Sequence, residues 1–360
     1  MAKFLDVFED VTKLGKKIPT NEYLESGKYP IIDQGKEYIS GYRNDETGLF
    51  KDIPAIIFGD HTRVLKYIDK PCFLGADGVK LLKAKDKTAD YKYLYYALCN
   101  VDIPNTGYNR HFKWLKEADI VIPNVKTQKQ ISATLDKVTH VIDLCNAQLE
   151  KLDLLVKARF IEMFGDPVTN PLNWKKEKTE KHIDLLSGYP FKSEHYVESG
   201  VNICGGLIIM PQRIEWDSCV HWATTEGYEE YLLADGDIVM ALDRPWITEG
   251  FKIALVDDEH LPALLIQRTA RIRAIDINQK YLYHCFINGG FDKHTNITGS
   301  LVPHISAKDI RSFEIMFPPL ELQTQFAAFV SQTNKSKSAV KETLEKAEIL
   351  KKSLMQQYFG

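Results

Sequence analysis

From Ile131 onward the apolar residues Leu135, Val138, Ile142, Cys145, Leu149, Leu152 and Val156 follow at alternating steps of four and three. That stripe is the a/d seam of a heptad repeat and predicts one continuous helix. Pro123 lies upstream and a Gly165-Asp166-Pro167 breaker downstream, so the expected helix runs over 127–164, roughly 57 Å at 1.5 Å per residue. A second stripe, Phe326, Val330, Thr333, Lys337, Val340, Leu344, Ala347, Lys351, Leu354 and Tyr358, predicts another helix with a less apolar seam. Elsewhere the pattern changes to short β-type runs between turn signals, among them Tyr29-Pro30-Ile31-Ile32, Ala55 to Phe58, Gly236 to Met240 and Ala270 to Ile275. Strand-rich globules with a few helices, joined to long helices, make an α+β class.

The chain repeats itself. Tyr23-Leu24-Glu25-Ser26-Gly27 answers Tyr196-Val197-Glu198-Ser199-Gly200, and Gly15 answers Gly188, all at an offset of 173. Ala55 to Asp60 parallels Ile238 to Asp243 at an offset of 183, and Lys92 to Asn100 matches Lys280 to Asn288 at 188. From Leu115 to Gly165 the offset to the second copy is a constant 195, pairing Pro123 with Pro318, Gln128 with Gln323, and Phe164-Gly165 with Phe359-Gly360. Residues 1–122 and 166–317 are then two related globular domains, and 123–165 and 318–360 two long helical segments. A lone amphipathic helix of this length cannot bury its stripe, so each helix is expected to meet its own duplicate in an antiparallel, pseudo-twofold coiled coil. The seam then comprises Ile131, Leu135, Val138, Ile142, Leu149, Leu152 and Val156 against Phe326, Val330, Val340, Leu344, Ala347 and Leu354.

Composition narrows the function. No apolar run approaches the ~20 residues of a membrane span, and Asp6, Glu9 and Asp10 interrupt any N-terminal signal, so a cytoplasmic protein is expected. Six scattered cysteines without a CxxC pair fit reduced thiols rather than a disulfide framework or a zinc ribbon, and the ten histidines form no HxH or HxxxH pair. With a net charge of −3, any attraction to nucleic acid must come from local clusters or from a partner.

Two similar domains on a frame of constant length suit a ligand read as two half-sites, of which duplex DNA is the leading case. Base readout needs forked donors and amides on loops. The first domain offers Gln34, Lys36 and Arg43, the loop His61-Thr62-Arg63 with Lys66, and Asn109-Arg110 beside Tyr108. The second offers Lys192, the loop Arg244-Pro245-Trp246-Ile247-Thr248, Lys252 and Gln267-Arg268. The loops at Asp60 and Asp243 follow corresponding strands yet differ in side chains, as two readers of different half-sites would.

The layout resembles the specificity (S) subunits of type I restriction-modification systems over essentially the whole chain. It does so in the helix-opening signals Pro123 to Gln128 and Pro318 to Gln323, in Ile57-Phe58-Gly59-Asp60-His61-Thr62, and in Gly188-Tyr189-Pro190-Phe191-Lys192-Ser193 with Gly236 to Met240. The resemblance implies two target-recognition domains, a bipartite target in double-stranded DNA with a spacer set by the helices, and two methyltransferase (M) subunits as partners, with restriction/translocase (R) subunits as further ones. It also implies that S-adenosylmethionine, ATP and Mg2+ act in those partners, and that this chain holds no cofactor and no catalytic residue. One departure is Asn124, where the second copy has Pro319.

Enzyme readings lack their parts. Asp243-Arg244-Pro245-Trp246 approaches the Asn/Asp-Pro-Pro-aromatic motif of amino-methyltransferases, but Arg244 takes the first proline's place and Gly205-Gly206 alone makes no cofactor loop. Glu249-Gly250-Phe251-Lys252 has one residue too many for a Glu-x-Lys nuclease site. The competing non-enzymatic reading is a structural or regulatory adaptor whose helices recruit partner proteins.

Overall fold

The computed structural model describes residues 1–75, 77–295 and 304–360. They form two compact units, Met1–Ala147 with Lys341–Gly360, and Gln148–Val340.

In the first unit, strands β1 (Phe8–Asp10), β2 (Tyr29–Ile32), β3 (Gly41–Arg43), β4 (Ala55–Gly59), β5 (Leu65–Ile68), β6 (Phe73–Leu74) and β7 (Val79–Ala84) precede helices α1 (Tyr91–Cys99) and α2 (Phe112–Glu117) and the start of α3 (Val125–Phe164). The second unit carries β8 (Ile183–Ser187), β9 (Val201–Cys204), β10 (Val220–Trp222), β11 (Ile238–Ala241), β12 (Ile253–Leu255), β13 (Ala263–Leu265) and β14 (Thr269–Ala274). Helices α4 (Gln279–Asn288), α5 (Ala307–Ser312) and the start of α6 (Leu320–Phe359) follow. The sheets match strand for strand. Orders β1-β7-β4-β5 and β3-β2-β6 in the first unit are answered by β8-β14-β11-β12 and β10-β9-β13 in the second. In both small sheets the middle strand pairs antiparallel on one side and parallel on the other.

Central strands explain the uninterrupted apolar runs. Successive side chains of β4 point to opposite faces. Ile56 and Phe58 enter a core with Tyr93, Leu94 and Leu135, whereas Ala55 and Ile57 enter one with Ile32, Leu74 and Leu81. In β11, Ile238 and Met240 face the helices and Val239 packs with Cys204 and Leu265. Because both faces are covered, no polar alternation survives. The repeated glycines have a packing reason too: a Cβ on Gly15 would sit 2.7 Å from Leu74, and one on Gly188 2.0 Å from the Ile266 carbonyl oxygen.

The long helices are forty residues each, with bounds that correspond at the offset of 195. α3 begins at Val125, two residues before the expected start, because the Asn124 side chain accepts a bond from the Thr127 N–H at 3.0 Å and caps the helix. Asn124 thus supplies a cap of its own where the second copy has Pro319. Every seam residue on α3 and α6 is buried or half-buried. Within the first unit, Ile131 and Leu135 near the start of α3 share a core with Leu354, Met355 and Tyr358 near the end of α6. Within the second, Val156, Phe160 and Phe164 near the end of α3 share one with Phe326 and Val330 near the start of α6. Early residues meeting late ones is antiparallel pairing. Two polar seam positions are satisfied locally: Thr333 Oγ1 donates to the Phe329 carbonyl at 3.0 Å, and Lys337 pairs with Asp153.

Each long helix is tied at both ends. The buried Gln128 accepts from the Asp90 N–H at 2.9 Å and donates to the Pro123 carbonyl at 2.8 Å. Gln323 repeats this, accepting from the Asn278 N–H at 2.8 Å and donating to the Pro318 carbonyl at 2.8 Å. Asp90 and Asn278 are the N-caps of α1 and α4. The proline-to-glutamine signal is therefore a staple joining the opening of a long helix to the cap of a short one. At the other ends, Phe164 of α3 packs on Tyr281 of α4 at 4.8 Å, and Phe359 of α6 on Tyr93 of α1 at 5.2 Å. The helix contributed by one half thus closes the core of the domain belonging to the other.

Candidate nucleic-acid interface

The same three loops converge in each unit: those after β2, β4 and β6 in the first, and after β9, β11 and β13 in the second. In the second unit, Gly205-Gly206-Leu207, Asp243-Arg244 and Ile266-Gln267-Arg268 line one open cavity of about 720 Å3. Arg244 and Arg268 take left-handed backbone angles, φ +47° and +64°, at the turns that present them. The Arg268 guanidinium lies 3.0 Å from the Asp243 carboxylate, which also meets His304 Nδ1 at 2.7 Å. Gln267 and Arg268 are exposed, and Gln267 also borders an adjoining hollow of about 700 Å3 that contains Lys192. Four of the predicted readers, Arg244, Gln267, Arg268 and Lys192, thus fall on one continuous concave surface.

Lys252, Trp246 and Thr248 have other placements. Lys252 is 7% exposed, and its ammonium donates to the Gly206 carbonyl from beneath the Gly205–Leu207 turn. Burial pulls its pKa below the ordinary lysine value. It lines the same cavity but spends its ammonium on propping a reading loop. Trp246 stacks on Phe251 at 4.8 Å and packs against the main core, while Thr248 is exposed at the tip of the hairpin they form.

In the first unit the turn after β4 closes by bonds from Gly59 N–H to the Val64 carbonyl and from Arg63 N–H to the Gly59 carbonyl, with Arg63 at φ +63°. The buried Asp60 does not project: its carboxylate accepts from the Phe112 N–H at 2.7 Å and its carbonyl from the His111 N–H at 2.7 Å. Gln34 has both ends of its carboxamide engaged, accepting from the His61 N–H at 3.1 Å and donating to the Asp77 carbonyl at 3.0 Å. Thr62 Oγ1 donates to the Gln34 carbonyl at 2.6 Å, and Arg63 to the Ile103 carbonyl at 3.1 Å. Arg43 is held between Glu22, at 2.7 Å, and Asp45. Lys66, 4% exposed, bonds the Glu37 carbonyl and lies 3.7 Å from Asp33; burial lowers its pKa.

Gln34, Arg43 and Lys66 therefore hold loops rather than present donors. What the unit offers to solvent is Thr62, Lys36, and the loop Tyr108-Asn109-Arg110, with the His61 ring stacked on Tyr108 at 4.7 Å and 8°. Lys36 borders a separate groove of about 950 Å3 whose lining also includes Lys70, Lys92 and Lys351 together with Asp69, Asp136 and Asp143, Lys92 lying 3.7 Å from Asp136. Sequence reasoning missed these lysines, which lie far apart in the chain, and it missed Leu207, which follows glycines weighed only as a cofactor loop.

Among the described residues no cluster of three or more His, Cys, Asp or Glu is placed to hold a metal ion, and no helix is long and apolar enough to cross a membrane. The six cysteines are free, four of them buried.

The family model for the type I restriction modification DNA specificity domain matches residues 3–154 and again 189–350. The chain belongs to this family. It is a type I specificity subunit with two DNA-recognition domains, a non-catalytic role. Among its relatives, the MjaVIII specificity subunit of Methanocaldococcus jannaschii is 27% identical over 317 residues, covering 80% of this chain and 74% of that one. The EcoR124I/EcoR124II specificity subunit of Escherichia coli is 23% identical over 347 residues, covering 91% and 84%. The solved S subunit of M. genitalium superposes with a TM-score of 0.65 at 17% identity, covering all of this specificity subunit and 95% of the other chain, which shows a shared fold. The first match spans all the strands and converging loops described in the first unit, and the second spans those of the second unit except β8.

Proposed function

We propose that this specificity subunit reads a bipartite target in double-stranded DNA, one half-site per recognition domain. The unread spacer is set by the helical segments, and the reading directs adenine methylation and restriction by partner subunits. The observation that carries this reading is the convergence of three equivalent loops on equivalent sheets. Their side chains are unlike: Lys36, His61 and Thr62 in one domain, joined by Tyr108, Asn109 and Arg110 from the loop between α1 and α2, against Leu207, Arg244, Gln267 and Arg268 in the other. An equal frame with unequal loops is what two independent half-site readers require. Arginine forks and amides on exposed turns suit base edges and phosphates, and the net charge of −3 makes partner subunits the source of further phosphate contacts.

The partners we assign are two methyltransferase subunits, which bring S-adenosylmethionine, and restriction/translocase subunits, which bring ATP and Mg2+. The long helices support a docking role, because Leu144, Leu154 and Ile349 are exposed off the seam. The test is co-expression with methyltransferase subunits from the same genome, followed by mapping of methylated adenines by single-molecule sequencing. One two-part motif is expected, and exchanging residues 1–122 for those of a relative should change only one part. A stable stoichiometric complex that methylates without any motif would refute DNA reading and favour the adaptor.

A further inference from the structure

Among the described residues, three large hydrophobic side chains are more than four-fifths exposed: Met1 at the chain start, Tyr108 at 87% and Leu207 at 92%. The last two fall one in each recognition domain: Leu207 on the converging loop after β9, and Tyr108 on the loop between α1 and α2, stacked on His61 of the converging loop after β4. A leucine left in water forgoes about 2 kcal/mol of burial. Its position at the tip of a turn is therefore notable. That turn is held in shape by the Lys252 ammonium on the Gly206 carbonyl, and Leu207 lines the same cavity as Arg244, Gln267 and Arg268. Tyr108 is backed differently. Its ring lies parallel to that of His61, whose backbone N–H donates to Gln34 and whose ring Nδ1 lies 3.2 Å from the Asn109 carbonyl oxygen. Both apolar groups thus stand on braced supports. Forked donors and amides flank both, Arg244, Gln267 and Arg268 beside Leu207 and Asn109 and Arg110 beside Tyr108, which suits base edges, while the cavity wall behind Leu207 is apolar, with Ile208, Val220 and Ile266.

We propose that Tyr108 and Leu207 are wedge residues, one per recognition domain, that enter the duplex beside the base edges read by their neighbours and open one base step in each half-site. The proposal rests on the DNA-reading function. Apolar or aromatic side chains on rigid supports unstack base steps in this way, and bent or opened DNA admits further protein contact. The chemistry done by the partner gives the wedge a use. An adenine cannot be methylated inside the stack, and prior opening of a nearby step lowers the cost of extruding it. Tyr108 and Leu207 would then be positioning residues, acting on the DNA while the partner's site acts on the base.

The experiment uses the complex with its methyltransferase subunits and a duplex carrying the mapped motif. 2-Aminopurine is substituted at one position at a time, the methylated adenines excepted. On binding, fluorescence should rise at one step in each half-site. Tyr108→Ala should abolish the rise in one half only and Leu207→Ala in the other only, while Tyr108→Phe keeps it. Tyr108→Ala should methylate roughly tenfold or more slowly, from the loss of one ring–base contact, and Leu207→Ala roughly severalfold or more slowly, from the loss of an apolar wedge between bases. A duplex with a mismatch at the opened step should restore the rate, which a merely structural defect would not allow. If the wild-type complex binds its motif specifically with no rise in either half, or if the alanine variants keep the rise, the wedge is refuted and DNA reading stands. Absence of specific binding by the wild-type complex would remove the DNA reading and the wedge together.

Discussion

Replacing Gln128 with methionine keeps the volume of the side chain and deletes its carboxamide. Gln128 is 2% exposed, and the Asp90 N–H and the Pro123 carbonyl it serves would lose their partners together. An orphaned, enclosed backbone group costs about 1–3 kcal/mol, so the two together cost about 3 kcal/mol, offset by about 1 kcal/mol of apolar gain from the methionine. The net of about 2 kcal/mol corresponds to roughly 30-fold faster opening at the cap of α1. Hydrogen exchange of the Asp90 amide reads this directly, with urea denaturation as the global measure. Gln323→Met should give the same result at Asn278, since the two bonds there have the same partners and lengths within 0.1 Å. Gln128→Glu should be worse than either, because it removes the donor and adds an enclosed charge. Unchanged exchange at Asp90, or a large effect at one glutamine and none at the other, would show that the staple is not what holds the helix opening.

Phe164→Ala should destabilise the second unit by about 3–5 kcal/mol although Phe164 belongs to the first half of the sequence, because its ring packs on Tyr281 and Phe326; exchange should accelerate in α4 and not in β4. Burial, reinforced by Lys337, holds the His284 imidazole at about 3. Since this folded value lies below the ordinary 6.5, stability should be complete above that pH and fall as pH drops toward 3. The loss at pH 5 is about 2 kcal/mol, and His284→Phe should remove that slope in a pH series of urea melts. Lys252→Met should leave the melting temperature equal or higher, since a desolvated ammonium is removed, while relaxing one half of the methylation motif through loss of the Gly206 prop. Arg268→Ala should weaken specific binding by about 1–3 kcal/mol in a titration of the complex, confined to one half-site.

The frame was legible because its signals are periodic and local. Heptad spacing placed both long helices within two residues, and the matched blocks announced two equivalent sheets. The readers were harder, because a sequence displays donors without showing what engages them. Arg43 finds Glu22, Gln34 finds Asp77, and Lys66 finds the Glu37 carbonyl, at separations of 21, 43 and 29 residues that no pattern encodes. Lys252 looked like a cation on a loop, yet it is turned under the neighbouring Gly206. Conversely, Leu207 looked unremarkable beside two glycines, and only its exposure marks it.

The constant offset of 195 between the helical segments has a cause independent of any ligand. α3 begins at a staple to the cap of α1 and ends with Phe164 inside the core around Tyr281; α6 begins at a staple to the cap of α4 and ends with Phe359 against Tyr93. One inserted residue would turn everything beyond it by about 100°. With the start stapled, the terminal phenylalanine would leave its aromatic partner; with the phenylalanine seated, the glutamine would leave its cap. Loops such as those after β2 and β9 meet no such double condition, and that is where the offset drifts. A frame pinned at both ends and loops pinned only at their strands let base preference change without any change in helix length. That separation follows from the packing, whether or not the DNA also selects for it.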